Sequence, residues 1–142
     1  MYQRIAVGTD GSAGATMAIE AATALARLTG AEVHLVQGCD APVMMSPTDD
    51  TVVAIGPAQV VQACTEQLAP VAEAIRSSGL DVVVHVLAAS GHAALCDVAE
   101  QVGADLIVVG NRGMRGARRF LGSVPNAVVH HAPCSVLLVE TT

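Results

Sequence analysis

Short apolar runs alternate along the chain with longer segments in which apolar residues recur every three or four positions. The runs predict five strands, at residues 3–9, 32–38, 80–88, 105–109 and 135–139. The periodic segments between them predict four helices, at residues 13–29, 58–78, 91–103 and 123–131. Strands that alternate with helices pair in parallel through right-handed crossovers. The pattern therefore predicts an α/β three-layer sandwich, with a five-stranded parallel sheet and helices on both faces.

Turn-forming residues set the limits of these elements. Ser12 can cap the first helix through its hydroxyl, and Gly30 ends that helix. Pro70 lies inside the second helix and should kink it or split it in two. The stretch 39–57 contains three prolines and is long for a connection in a compact domain. It predicts either a functional flap or a partly disordered segment.

The composition fits strands that are buried on both faces. The chain has 142 residues, 52% of them hydrophobic, and Tyr2 and Phe120 are its only aromatic residues. This length predicts one domain over residues 1–142, with an aliphatic core. No apolar run approaches the ~20 residues that cross a bilayer, and the N-terminus lacks the apolar stretch of a signal peptide. We therefore expect a soluble, cytoplasmic protein without membrane contacts.

The four cysteines, Cys39, Cys64, Cys96 and Cys134, lie far apart in the sequence. A zinc site or a redox dithiol needs ligands at short, regular spacing, which these residues lack. We expect them to be buried and reduced, because free cysteine is among the most buried residue types. Cys39, at the end of a predicted strand, should be the most exposed of the four.

The positive charge of the chain is concentrated in one segment. The net charge is −6, which argues against binding to nucleic acid. Residues 106–139 nevertheless contain no acidic residue and four arginines, which are Arg112, Arg115, Arg118 and Arg119. A basic island on an acidic protein favours a small anion over a long polyanion. Arg112 is the arginine that we expect to face this ligand.

The same segment is rich in glycine and leads from the fourth strand into the last helix. Glycine lets the backbone approach a ligand closely, and a helix N-terminus attracts phosphate. Gly110, Gly113 and Gly122 would shape the loop. Ser123 would either cap the helix or donate to a phosphate oxygen. Turn formation and capping explain each residue separately, but their joint occurrence after a buried parallel strand favours an anion site.

A second candidate group follows the first strand. Asp10 can accept hydrogen bonds from ribose hydroxyls or hold Mg²⁺ beside phosphates, and it can equally serve only to cap the first helix. In an open parallel sheet, ligands bind beyond the carboxyl ends of the strands, where the strand order reverses. We expect the first and fourth strands to be central, so the turns at Asp10 and Gly110 would lie on either side of that crevice.

Four stretches together resemble the universal stress protein family over essentially the whole chain. They are residues 5–12 (IAVGTDGS), 105–110 (DLIVVG), the glycine-rich segment, and 132–139 (APCSVLLV). The resemblance implies the strand order 3-2-1-4-5 and a homodimer paired through the C-terminal strand 135–140. It also implies ATP as a ligand, with or without Mg²⁺, in a family that includes cyclic AMP-binding members and members that bind no ATP.

The resemblance assigns roles to single residues. Asp10 would contact the ribose, Thr9 would lie beside it, and the backbone of Gly38 would lie against the adenine. Gly110 would pack on the ribose, and the phosphates would be held by Gly113, Gly122 and Ser123. Eight residues separate the last two motif glycines, one fewer than is usual in the family. The shorter loop reaches less far, by at most ~3.5 Å, which can change the phosphate that it holds.

The remaining polar residues do not indicate a dedicated enzyme. The chain has no recognisable nucleophile motif and no paired carboxylates for acid–base work, so at most slow ATP hydrolysis is expected. The sequence therefore predicts a nucleotide-binding regulatory protein of the stress response, which acts as a dimer on an unidentified protein partner. Two alternatives stay open: a dimeric interaction module that binds no nucleotide, and a protein that binds AMP or cyclic AMP in the same pocket.

Overall fold

Strands and helices alternate along most of the chain in a computed structural model that describes residues 1–39, 43–45, 52–54, 56–111, 114–115, 118–119 and 122–141. Within these residues the elements follow one another in this order: β1 (Arg4–Gly8), α1 (Ala13–Thr29), β2 (Glu32–Gly38), β3 (Val43–Met45), β4 (Val52–Ala54), α2 (Pro57–Ser77), β5 (Val82–Leu87), α3 (Gly91–Val102), β6 (Leu106–Gly110), β7 (Met114–Arg115), β8 (Arg118–Arg119), α4 (Ser123–His131) and β9 (Ser135–Val139). No helix in the described part of the chain is long and apolar enough to span a membrane.

Five strands form one parallel sheet in the order β5-β2-β1-β6-β9. This is the order 3-2-1-4-5 when only the five predicted strands are counted, so the predicted fold class is confirmed. Ile5 of β1 pairs with Val33 of β2 on one side and with Leu106 of β6 on the other. The strand order reverses between β1 and β6, and β5 and β9 are the two edges.

Consecutive residues of the central strands are buried on opposite faces of the sheet. Ile5 and Val7 belong to the core beneath α1 and α2, whereas Ala6 packs with Leu95 and Val98 of α3 on the other face. The buried positions of α1 are mostly alanines, which let this helix lie close to the sheet. An aliphatic core of small and branched side chains therefore lies between the sheet and the helices on each face, as the composition predicts.

The second helix is not split by its proline. α2 runs from Pro57 to Ser77 with Pro70 inside it. Pro70 has no N–H to donate to the carbonyl of Glu66, but both residues lie on the exposed face of the helix. Water can bond the freed carbonyl there, so the helix continues through the proline.

Two short hairpins lie in stretches for which the sequence predicts no strands. β3 and β4 pair antiparallel, with Met44 opposite Val53, in the stretch 39–57. β7 and β8 pair antiparallel, with Met114 opposite Arg119, in the glycine- and arginine-rich segment. Strands of two or three residues are too short to show a period in the sequence.

The cysteines depart from the expectation of four reduced thiols. Cys39 and Cys64 form a disulfide that joins the end of β2 to α2. Cys39 is only 5% exposed, so the prediction that it would be the most exposed cysteine was wrong. The two residues are 25 positions apart, and only the packing of α2 over the sheet brings them together. Cys96 and Cys134 are free thiols and half-buried.

Candidate functional site

A pocket of about 240 Å³ opens beyond the carboxyl ends of β1 and β6, where the strand order reverses. Six of the predicted site residues line it: Thr9, Asp10, Gly38, Gly110, Gly122 and Ser123. The other two, Arg112 and Gly113, lie outside the described residues. The fold therefore brings the turn after β1 and the beginning of α4 to one crevice.

The turn after β1 combines a capping role with exposure to the pocket. Asp10 Oδ1 accepts the N–H of Ser12 at 2.9 Å, and Thr9 Oγ1 accepts the N–H of Gly11 at 3.2 Å. Gly11 has a φ of 81°, which favours glycine in this turn. Ser12 then caps α1 by accepting the N–H of Ala15 at 3.2 Å. Ser12 and not Asp10 is therefore the N-cap of α1, and Asp10 is an exposed residue of the pocket lining.

Three helices begin at the pocket, and they differ in how their first turns are capped. α1 and α3 each begin after a serine whose hydroxyl accepts a backbone N–H, at Ser12 and Ser90. α4 begins after Gly122, which has no side chain to accept such a bond. The first intrahelical hydrogen bond of α4 runs from the N–H of Asn126 to the carbonyl of Gly122 at 3.0 Å. The first turn of α4 is therefore open to a ligand or to water.

Ser123 is the first residue of α4 and not its N-cap. Its hydroxyl does not cap the helix, which removes one of the two roles that the sequence left open. The N–H groups of Ser123 and Val124 precede the first intrahelical bond, whereas Pro125 has no N–H and is buried. The pocket thus meets two backbone donors and one hydroxyl in the residues that begin this helix.

Gly38 is a place where two backbone segments come very close together. A Cβ atom on this residue would lie 2.6 Å from the carbonyl oxygens of both Ala89 and Ser90. The end of β2 therefore packs directly against the turn that leads from β5 into α3. This contact requires glycine for packing alone, whatever ligand the pocket holds.

The C-terminal segment forms one wall of the pocket, which sequence reasoning missed. Thr141 lines the pocket, and a Cβ atom on Gly110 would lie 3.0 Å from its Cγ2. Asn111 Oδ1 accepts the N–H of Thr141 at 2.8 Å and its hydroxyl at 3.0 Å. The N–H of Asn111 donates to the carbonyl of Val139 at 2.9 Å. Asn111 lies inside the glycine motif, but no sequence signal connects it to a residue 30 positions away.

Three groups with shifted pKa values, His85, Cys96 and Cys134, lie outside the pocket lining. His34 Nδ1 and His85 Nε2 are 2.9 Å apart on β2 and β5, and His34 Nε2 lies 2.6 Å from Glu32 Oε1. Burial and the neighbouring His34 lower the pKa of His85, with a partial offset from Glu32. Burial also raises the pKa values of the Cys96 and Cys134 thiols.

Asp10 is the one charged side chain among the described residues of the pocket. No group of three or more potential metal ligands occurs in the described part of the chain. The arrangement is that of a binding site, with a carboxylate on one side and backbone donors on the other.

A family model and two known proteins that match this chain carry the same family description. A family model, described as the universal stress protein family, matches residues 1–140. A universal stress protein of Mycobacterium tuberculosis is 33% identical over 147 residues, which cover 99% of this chain and 98% of that protein. A universal stress protein of Synechocystis is 53% identical over 45 residues, 31% of this chain. This second match spans only 29% of the relative's own length.

A solved structure matches over the whole fold. It is a universal stress protein in complex with cyclic AMP, with a TM-score of 0.73 and 26% identity. The match covers 99% of this chain and 98% of that one.

Proposed function

Because the chain belongs to the universal stress protein family, we propose that it is a nucleotide-binding regulatory protein of the stress response, with ATP as its ligand. The nucleotide would occupy the pocket beyond β1 and β6. Its location in the cytoplasm, a role of Mg²⁺ alongside the nucleotide, and slow hydrolysis of bound ATP are parts of the same proposal.

The uncapped first turn of α4 is the observation that supports this function best. A helix N-terminus carries a partial positive charge and free N–H groups that suit phosphate. At α1 and α3 a serine hydroxyl already accepts one of these groups, whereas α4 begins with Gly122. The phosphates would therefore lie at Gly122 and Ser123, with Gly113 and Arg112 completing that end of the site.

The opposite side of the pocket suits the ribose and the base. Asp10 would repel phosphate, but its carboxylate can accept hydrogen bonds from ribose hydroxyls, with Thr9 beside it. Gly110 would pack on the ribose, where a side chain would collide with Thr141. Gly38 lines the pocket on the side where the adenine would lie.

Calorimetric titration of nucleotide-free protein with ATP, ADP, AMP and cyclic AMP, with and without Mg²⁺, tests this function. In Asp10→Asn the side-chain oxygen can still accept the N–H of Ser12, but the negative charge that strengthens hydrogen bonds from ribose hydroxyls is lost. A hydrogen bond to a charged group contributes about 1.5–3 kcal/mol and one between neutral groups about 0.5–1.5 kcal/mol, so the difference of about 1 kcal/mol should lower affinity about fivefold. Asp97→Asn makes the same charge change at an exposed position of α3 outside the pocket lining and should leave affinity unchanged. Absence of binding by all four nucleotides would refute the proposal and favour the interaction module without nucleotide.

AMP or cyclic AMP is the second candidate ligand, and two observations favour it. Pro125 lacks an N–H at the third position of α4, so the helix offers fewer backbone donors than most N-termini do. The structure with 26% identity and near-complete coverage is a complex with cyclic AMP. Tighter binding of cyclic AMP or AMP than of ATP in the same titration would select this alternative.

We also propose a homodimer paired through the C-terminal strand, residues 135–140. β9 is an edge strand of the sheet, and an unpaired strand edge is a template for pairing with another chain. Leu137 and Leu138 of β9 are 36% and 37% exposed. Val124 and Val129 of α4, the helix that leads into β9, are also exposed. Pairing of two such edges would remove this apolar surface from water.

A further inference from the structure

The disulfide between Cys39 and Cys64 lies next to the wall of the pocket. Cys39 directly follows Gly38, which lines the pocket, and its N–H donates to the carbonyl of Leu87 at 2.8 Å. Cys64 lies in α2, a helix with no residue among the described pocket residues. The bond therefore ties the residue beside the pocket wall to an element outside the site.

We propose that Cys39 and Cys64 form a thiol–disulfide switch that controls the affinity of the adjacent pocket, and that the oxidised form binds its ligand more tightly. The proposal rests on the proposed nucleotide function for its ligand. Its redox chemistry can be tested without that function.

The two cysteines differ in exposure, which indicates the sulfur that an external thiol attacks first. Cys39 is 5% exposed, whereas Cys64 is half-buried and its Sγ accepts the Gln37 side-chain N–H at 3.6 Å. A low-molecular-weight thiolate would attack Cys64 Sγ, which breaks the bond to Cys39 and releases a Cys39 thiolate that takes up a proton. A second thiol then attacks the external sulfur of the mixed disulfide and releases the Cys64 thiol. Two external thiols thus supply two electrons and leave as their own disulfide.

The close packing of Gly38 links this bond to the pocket. Because a Cβ atom there would lie 2.6 Å from the Ala89 and Ser90 oxygens, the end of β2 and the turn before α3 must move together. Ser90 caps α3, and the next residue, Gly91, lines the pocket. The hairpin β3–β4 lies within the loop of chain that the disulfide closes, so reduction also removes this constraint on the segment that follows Cys39. In the reduced protein, ligand binding must itself order this wall, which lowers affinity.

Thiol counting tests the bond without any ligand. Alkylation of the air-oxidised protein in denaturant, followed by mass spectrometry, should label two thiols, at Cys96 and Cys134, and after reduction it should label all four cysteines. Equilibration with glutathione redox buffers then gives the midpoint potential of the pair. Four labelled thiols in the air-oxidised protein would overturn the proposal.

Calorimetry with ATP and with cyclic AMP tests the coupling. We expect Kd to rise about fivefold when the wild type is reduced, at the low end of typical coupling between two sites. The Cys39→Ser/Cys64→Ser variant should bind like the reduced protein under both conditions. The Cys96→Ala/Cys134→Ala variant is the matched control and should keep the fivefold response. By reciprocity, saturating nucleotide should favour the disulfide over the dithiol by the same factor of about five. A tenfold change in this equilibrium constant corresponds to about 30 mV for two electrons, so the midpoint potential should become about 20 mV more negative.

The results of these experiments distinguish failure of the redox switch from failure of the proposed nucleotide function. Equal Kd values in the two oxidation states overturn the switch, and so does a redox response that persists in the Cys39→Ser/Cys64→Ser variant. If neither nucleotide binds in either state while two thiols remain protected, the proposed function and the coupling both fail and the disulfide stands. The wild-type comparison needs no substitution, so a variant that fails to fold does not block the test.

Discussion

The side chain of Asn111 ties the C-terminal segment to the pocket, and its removal should measurably destabilise the protein. Its Oδ1 accepts the N–H of Thr141 at 2.8 Å and the hydroxyl of Thr141 at 3.0 Å, and the residue is 7% exposed. An intramolecular hydrogen bond contributes about 1 kcal/mol net. Loss of both bonds in Asn111→Ala should therefore lower the free energy of unfolding by about 2 kcal/mol. Thr141→Val loses only the hydroxyl bond, so it should cost about 1 kcal/mol.

Urea unfolding of the two single variants and the double variant measures these values. The double variant should lose about 2 kcal/mol rather than 3, because the hydroxyl bond can be lost only once, and this gives a coupling energy of about 1 kcal/mol. Thr65→Val is a matched control, since this exposed threonine of α2 bonds only within its own helix, to the Val61 carbonyl. A free energy of unfolding for Asn111→Ala within about 0.5 kcal/mol of the wild type, the usual range of neutral surface changes, would refute the reasoning. Because Thr141 lines the pocket, Asn111→Ala should also weaken nucleotide binding.

Three further predictions follow from the packing, the histidine pair and the sheet edge. Gly38→Ala would place a Cβ atom 2.6 Å from two backbone oxygens and should lower the free energy of unfolding by about 3 kcal/mol. Gly56→Ala meets no atom within 4 Å, so in the same urea assay it should cost at most about 1 kcal/mol, from the weaker N-cap of α2. The lowered pKa of His85 means that below about pH 6.5 the folded chain binds fewer protons than the unfolded chain. The free energy of unfolding should therefore fall as the pH drops below that value, and His85→Gln should flatten this dependence; an unchanged slope in the variant would argue against it. Leu138→Glu on β9 should convert the proposed dimer to a monomer in light scattering, and Val83→Glu on the opposite edge strand, 40% exposed, should not.

The parallel sheet could be predicted because its strands are buried on both faces. Ile5, Ala6 and Val7 are consecutive and all fully buried, so they form a continuous apolar run in the sequence. Gly30 ends α1 with a φ of 74°, a conformation that the residue type itself indicates. These signals are local, which is why the elements and their order along the chain follow from the sequence.

The features that escaped prediction depend on distances between remote segments. The disulfide joins Cys39 to a helix residue 25 positions away, and nothing in the local sequence of either cysteine indicates the other. The continuity of α2 through Pro70 depends on exposure of that side of the helix, which is a property of the folded chain. Short hairpins such as β3–β4 carry too few residues to establish a pattern.

The position of the pocket between the first and fourth predicted strands could be predicted from the sequence, but the residues that form all of its walls could not. The turns at Asp10 and Gly110 had to share one edge, because the carboxyl ends of neighbouring parallel strands lie together. The contact of Gly110 with Thr141 could not be foreseen, since it depends on where the residues after β9 lie in the folded chain. The roles of the lining residues toward a ligand stay predictions for the titrations above.

The donors at the N-terminus of α4 limit the number of phosphate groups that this end of the pocket can bind. Serines stand at the beginning of three helices, yet Ser12 and Ser90 are N-caps whereas Ser123 is one position further along. The first turn of α4 has no capping side chain, so its N–H groups are available to the oxygens of a phosphate. Because Pro125 contributes no donor, the Ser123 hydroxyl and two backbone N–H groups match the oxygens of one phosphate group. Further phosphates of ATP would need donors from segment 112–121, so Arg112→Ala should weaken ATP more than AMP or cyclic AMP. Equal losses for all three nucleotides in the calorimetric titration would show that this arginine does not distinguish them.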